Sequence, residues 1–292
     1  MTSDQRSRPE LPTKESRHLT VSIVQINARD DDVPGNLEKI LKFLEEAGER
    51  GSDLAVLPET FTGTGLSGPE AHKAIAQTIP GPATDAIAAL AKRYGMMVVG
   101  SLYERGEAGR IHNSAPFIGR DGSIQGLYRK THLFDPATRP DIPQIRESDK
   151  VTPGSELVMV TTNVCNVGVG ICSDLRFPEL FLDYALQGAE LVVVPTAFLS
   201  PRIDHWEFLL RARATDNQFY VVGSGMVGGV PGTSFGFVGR SMVVDPWGVI
   251  VAQAPDRECL TTTTIDLEAV RDVRAWWPLN EQRRPPLYAH LR

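Results

Sequence analysis

The stretch VGVGICSDLRFPELFLDYALQGAELVVVP, residues 167–195, decides the fold class. It opens on VGVGI (167–171), an uncharged apolar run that reads as a buried strand. FPELFLDYALQGA (177–189) follows with the character of a helix, and LVVV (191–194) is a strand again. Strand, helix and strand in succession is the pattern of an α/β domain.

The pattern extends in both directions. Upstream, LTVSIVQI (19–26) and DLAVL (53–57) read as strands. Between them Leu37, Ile40, Leu41 and Leu44 have helical spacing, and Gly48 and Gly51 are expected to end that helix. TDAIAALAKRY (84–94) predicts a helix closing on Gly95, and MMVVGSLYE (96–104) a returning strand. IHNSAPFIG and SIQGLYR flank Arg120-Asp121-Gly122, a hairpin signal. Residues 131–156 read as a long loop with four prolines, and a loop of that length inside a compact domain is usually functional or disordered. Downstream come a helix (WEFLLRARATDNQ, 206–218), a strand (FYVVGS), and two runs, GFVGRSMVV and VIVAQA, joined by Asp245-Pro246-Trp247-Gly248, which suits a type I turn. TTTTIDL is a last strand and EAVRDVRAW a last helix. Hairpins interrupt the strand–helix series, so mixed sheets are expected rather than one doubly wound sheet. With no repeat and no Gly/Ser linker, the chain reads as a disordered polar arm (1–17), one compact domain (18–266) and a C-terminal extension (267–292).

Composition narrows the function. The chain has 292 residues and a formal net charge of −6, with a pI near 5.6. A mildly acidic chain without a basic block is a poor nucleic-acid binder. The apolar run at 191–194 is far too short to span a bilayer. Three cysteines make no disulfide framework, and the polar N-terminus lacks the apolar core of a secretory signal, so a reducing, cytoplasmic location is expected.

Two motifs match a pattern and lack its context. Gly223-Ser224-Gly225-Met226-Val227-Gly228 fits the dinucleotide fingerprint, but Gly229, Val230, Pro231 and Gly232 follow and cannot open the helix it requires. Gly232-Thr233-Ser234-Phe235-Gly236 fits a nucleophile elbow, with Asp245 or Asp266 and His290 downstream. An elbow leads into a helix, whereas FVGRSMVV alternates as a strand. Ser234 is the rival nucleophile. The six histidines are scattered, so no metal site is expected.

Three segments place a reactive group where a strand gives way to a loop: Glu59 after DLAVLP, Lys130 after SIQGLYR and Cys172 after VGVGI. Strand ends are where a rigid scaffold presents catalytic groups. A thiol needs a base or a positive neighbour to become a nucleophile; Glu59 supplies the first and Lys130 the second, as well as a partner for an oxyanion. These are the parts acyl transfer requires. Cys165 and Cys259 read as structural thiols.

Leu57-Pro58-Glu59, YRKTHLF (128–134) and GICSDLRFPEL (170–180) resemble the three signature segments of the nitrilase superfamily of carbon–nitrogen hydrolases. The resemblance continues through Pro195-Thr196-Ala197-Phe198, HWEFLLRARATDNQFYV (205–221) and GRSMVVDPWG (239–248). It implies a four-layer α-β-β-α sandwich with mixed sheets, paired subunits, and no cofactor or metal. It implies Glu59 as general base, Lys130 as oxyanion stabiliser, Cys172 as nucleophile and Glu147 as a second glutamate. Cys172-Ser173-Asp174 is most similar to the omega-amidase and Nit-type branch, whose members act on small carboxamides bearing a distant carboxylate. Amidohydrolases of N-carbamoyl compounds and nitrilases use the same three residues, and a non-catalytic binding relative is the reading from another class. Ser173, Thr196, Phe198 and Arg176 are the expected substrate contacts, with Arg202 and Arg211 as further candidates for a carboxylate clamp. Ser173 and Thr196 stand where that branch often has an aromatic residue and glycine. A homodimer or an assembly of dimers is expected, also because Trp276, Trp277, Pro278, Leu279, Pro285, Pro286, Leu287 and Tyr288 are unusually apolar for a tail.

Overall fold

Two sheets pack face to face and carry helices on their outer sides. The computed structural model describes residues 17–67, 70–136, 146–230 and 236–288. The first sheet contains β1 (His18–Gln25), β2 (Leu54–Val56), β3 (Met97–Val99), β4 (Leu102–Arg105), β5 (Ile111–Ile118) and β6 (Ile124–Arg129), closed on its other edge by β15 (Cys259–Asp266). Its order is β15-β1-β2-β3-β5-β4, with β6 also on β5. The second contains β7 (Met159–Thr161), β8 (Asn166–Val169), β9 (Leu191–Thr196), β10 (Tyr220–Gly225), β13 (Met242–Val244) and β14 (Ile250–Gln253), in the order β14-β13-β10-β9-β8-β7. A two-stranded ribbon, β11 (Val227–Gly229) with β12 (Gly236–Val238), stands apart.

Each sheet has a parallel heart, β1-β2-β3 in one and β8-β9-β10 in the other, with antiparallel strands outside it. Parallel neighbours need crossovers, and helices supply them. In the first sheet these are α1 (Val33–Glu49) and α3 (Pro82–Tyr94); α2 (Ala71–Ile75) is a short turn beside β4. In the second they are α4 (Pro178–Leu186) and α5 (Ile203–Asn217). The period-two alternation of β1 and β2 sorts the core. Val21, Ile23, Leu54 and Val56 face the other sheet, while Val24 and Ala55 meet Ile40 and Leu44 of α1 and Ile87 of α3. The result is a four-layer α-β-β-α sandwich with mixed sheets.

Several local expectations change. MMVVGSLYE is two strands, β3 and β4, parted at Gly100 and Ser101; a Cβ on Gly100 would lie 2.4 Å from Leu57 Cβ, so only glycine fits there. GFVGRSMVV is also two, β12 and β13, parted by Gly239 and Arg240, both in the left-handed region that no strand accommodates (φ 65° and 49°). Helix α1 runs through Gly48, which is small because the Tyr94 ring occupies the space of a Cβ. The glycine fingerprint has a packing reason too. A Cβ on Gly223 would strike Trp206 and Leu210, and the chain then enters β11, not a helix.

At the ends, residues 1–16 of the expected arm lie outside the described residues. Arg17 belongs to the body: it is buried and pairs with Glu190 and Glu268. The body also continues past residue 266. In α6 (Glu268–Trp276), Val270 and Val273 are buried, as is Leu267 before it; α7 (Leu279–Gln282) follows. No helix among the described residues is long and apolar enough to cross a membrane.

Candidate active site

Glu59, Lys130 and Cys172 converge at one end of the sandwich. Glu59 lies just beyond β2, where the chain turns at once through Thr60 (φ 46°). Lys130 follows the last residue of β6, and its N–H still donates to Asn113 O at 2.9 Å, so the ladder with β5 fixes its direction. Cys172 begins a tight 3-10 turn after β8 and also has positive φ (46°). Non-glycine residues held there cost about 1–3 kcal/mol and tend to mark functional sites.

Lys130 is the centre of the charge network. Its Nζ donates to Glu59 Oε1 at 2.8 Å and to Glu147 Oε2 at 2.7 Å, with all three side chains nearly sealed from solvent. Burial opposes the charge on Lys130, but Glu147 and Glu59 outweigh it and hold its pKa well above the usual lysine value. An ammonium has three N–H groups. Two serve the carboxylates, which leaves one for a bound molecule. Glu59 Oε2 accepts from the Ala197 N–H at 2.7 Å, and Glu147 Oε2 from the Phe134 N–H at 2.8 Å.

The Cys172 thiol opens onto the same cavity with protein around its other sides. Burial pushes its pKa up to about 12, the Glu59 carboxylate adds to this, and Lys130 and Thr196 offset it in part. Burial, the largest influence, thus opposes ionisation of the thiol while Lys130 favours it, and the Glu59 carboxylate lies beside the sulfur.

The cavity is lined by Glu59, Lys130, Glu147, Cys172, Ser173, Arg176 and Phe198, together with Thr60, Thr64, Tyr103, Phe134, Arg146, Lys150 and Arg202. The placement of Thr196 differs from a direct substrate contact. It is fully buried and is not among the residues that line the cavity, and its hydroxyl neighbours the Cys172 thiol. Arg211 is corrected outright. It sits on the outer side of α5, where it donates to Gly248 O at 2.8 Å and pairs with Glu207. Ser234 and His290 lie outside the described residues. Among the described residues no group of three His, Cys, Asp or Glu side chains can hold a metal.

Two residues of the site escape sequence reasoning. Asn113 Nδ2 donates to both Glu59 Oε1 (2.9 Å) and Glu147 Oε1 (3.2 Å), bracing the two carboxylates from below. Nothing in IHNSAPFI sets it apart from its polar neighbours His112 and Ser114. Asp174, fully buried, joins the lysine and cysteine segments. Its carboxylate accepts from Tyr128 Oη (2.7 Å), Ile171 N (2.8 Å), His132 N (3.0 Å) and Thr131 Oγ1 (3.2 Å), with His132 Nδ1 at 2.8 Å. Ser173 Oγ donates to His132 O across the same seam, and the His132 ring stacks on Phe177. Lys130 and Cys172 are thereby held in one rigid unit.

A half-buried thiol, a carboxylate and a doubly paired ammonium thus line one cavity, mounted on two helix-covered sheets. The carbon–nitrogen hydrolase family model matches residues 20–275, and the chain belongs to that family. Omega-amidase NIT2 of Danio rerio is 37% identical over 261 residues, covering 87% of this chain and 91% of its own. Omega-amidase NIT2 of Homo sapiens is 34% identical over 278 residues, covering 94% and 97%. Among solved structures, Saccharomyces cerevisiae Nit3, described as a member of branch 10 of the nitrilase superfamily, superposes with a TM-score of 0.81 at 30% identity, covering 91% of this chain and 97% of that one. The C. elegans NitFhit protein does so with 0.86 at 33%, covering 94% of this chain and 66% of the longer one. The protein is thus an amidase that hydrolyses amide C–N bonds.

Proposed function

We propose that this amidase cleaves a small carboxamide through a thioester on Cys172 and releases ammonia. The observation that carries the reading is the Lys130 ammonium, bonded to Glu59 and Glu147 and with one N–H to spare, in the cavity that the Cys172 thiol also lines. Glu59 takes the thiol proton as Sγ attacks the amide carbon. The oxyanion lies between Lys130 Nζ and the Ser173 N–H. The C–N bond breaks as Glu59 returns the proton to nitrogen, so ammonia leaves. Water, deprotonated by Glu59 and oriented with Glu147, then adds to the thioester; the C–S bond breaks, and acid and thiol are regenerated. Ser173, Phe198 and Arg176 form the acyl pocket, with the Arg176 guanidinium meeting a carboxylate on the substrate's far end. Thr196 supports the thiol from behind. The test is ammonia release from carboxamides, N-carbamoyl amino acids and nitriles, with mass spectrometry of the protein during turnover. The expected result is ammonia from an anionic carboxamide and an acyl adduct on the peptide containing Cys172; turnover of nitriles or N-carbamoyl compounds alone would overturn the substrate class.

We further propose a cytoplasmic homodimer. Trp276 is 73% exposed and packs against the exposed Trp247 and Trp277 (ring centroids 5.4 and 6.3 Å), an apolar cluster of the kind that meets a partner. Light scattering at micromolar concentration should give twice the chain's 32.0 kDa. A mass near 32.0 kDa would refute the dimer. Truncation after Ala275 tests whether the tail is its main interface; a dimer that survives it would point to α4 and α5 instead.

A further inference from the structure

The cavity wall carries far more positive than negative charge. Among the described residues its cationic side chains are Lys130, Arg146, Lys150, Arg176 and Arg202; its acidic ones are Glu59 and Glu147, and both are committed to Lys130. Among the described lining residues, Arg146, Lys150, Arg176 and Arg202 are then left without a buried carboxylate partner. Arg146 has a distant exposed partner, Asp149, at 3.9 Å. Among the described residues Lys150 Nζ donates only to a carbonyl, Gly65 O, at 3.3 Å.

Arg176 and Arg202 are the informative pair. Neither has a carboxylate within ion-pair distance among the described residues. Each guanidinium instead lies over an aromatic ring, Arg176 over Phe198 at 5.1 Å and Arg202 over Phe134 at 5.9 Å. Their few polar contacts are long: Arg176 Nη1 to His205 Nδ1 at 3.5 Å, and Arg202 Nη1 to Leu199 O at 3.4 Å. The two also repel one another, and burial together with Arg202 lowers the pKa of Arg176. Like charges partly removed from water with no counterion are costly unless an anion joins them. Both arginines line the cavity, and with one long contact each, most of their N–H groups have no partner among the described residues.

A single carboxylate on Arg176 would leave Arg202 and Lys150 unanswered. We propose that the substrate amide ends in a doubly negative group, either two carboxylates on one carbon or a phosphate-like dianion, held between Arg176 and Arg202 with Lys150 and Arg146 adding to the field. The proposal rests on the amidase reading above and specifies the charge of the substrate's far end. Arg176 lies four residues beyond Cys172 in the same turn, and Arg202 reaches in from the start of α5 against Phe134, so the dianion is gripped from two walls.

The test uses four amides of equal reach: butyramide, glutaramate, the ω-amide of propane-1,1,3-tricarboxylate, and 4-phosphonobutanamide at pH 8. They carry zero, one, two and two negative charges. At least one dianionic amide should exceed glutaramate in kcat/KM by about tenfold, the scale of one added charge-assisted hydrogen bond. Arg202→Gln should bring that ratio close to one. Preference for the geminal dicarboxylate or for the phosphonate identifies which dianion is bound, and either result supports the proposal. Glutaramate equal to or better than both dianions, or an unchanged ratio in Arg202→Gln, overturns it. Calorimetry on Cys172→Ala with glutaramate and the two dianions reads the same preference without turnover. If no amide releases ammonia the amidase reading fails alone, and the binding order still decides the charge of the ligand.

Discussion

Cys172→Ala is expected to abolish turnover, by a factor on the order of 10⁴ or more, since removing the nucleophile of a unit that acts together leaves only the residual catalysis of binding and oxyanion contacts. The fold should survive. The thiol is small, it opens onto a cavity, and no hydrogen bond of the core depends on it. Backbone strain does not change either, because alanine and cysteine meet the same penalty at φ 46°. The measurement is ammonia release under saturating amide, paired with a thermal melt of both proteins. Matching melts with no ammonia identify the sulfur as the reacting atom. Turnover near the original rate would move the chemistry to another nucleophile, Ser234 first among them.

The catalytic positions were legible because they sit where β-rich runs stop. Glu59, Lys130 and Cys172 each follow a strand readable from its own composition; β2 and β6 run in the same sense within the first sheet, and the face-to-face packing of the second sheet brings the end of β8 to them. What the sequence withheld is set by packing between distant segments. Asn113 looks like a stray polar residue of a strand, and only the pairing of β5 with β6 places it under both glutamates. Asp174 reads as part of the cysteine motif, yet its work is to receive the lysine segment more than forty residues earlier. Arg202 and Arg211 share a helix region and a charge, and nothing in their spacing says that one faces the cavity and the other Gly248. The direction of the thiol's pKa shift also depends on geometry: the sequence offers a nearby cation and a nearby anion, and burial, the largest influence, raises it. Glu147 lies in a proline-rich loop with no period to read, so only the family resemblance pointed to it.

Lys130→Ala should damage stability as well as rate, and that double effect distinguishes it from the cysteine variant. The lysine is 2% exposed, and its carboxylate partners are 7% and 11% exposed. Removing the cation leaves Glu59 and Glu147 held close by Asn113, both desolvated and with no positive charge between them. Breaking a buried ion pair by deleting one partner costs about 3–5 kcal/mol, mostly the penalty of the charge left behind. The lost oxyanion contact should lower kcat by a further factor on the order of 10²–10³. Denaturant titration at pH 7 should show an earlier midpoint with an unchanged slope, and kcat should be read on protein still folded at the assay temperature. Lys130→Ala combined with Glu147→Gln separates the two effects. With one of the stranded charges removed, much of the stability should return, while kcat stays low because no ammonium faces the oxyanion. If the double variant recovers activity along with stability, Lys130 serves only to reconcile the two glutamates, and the oxyanion role passes to the Ser173 N–H alone.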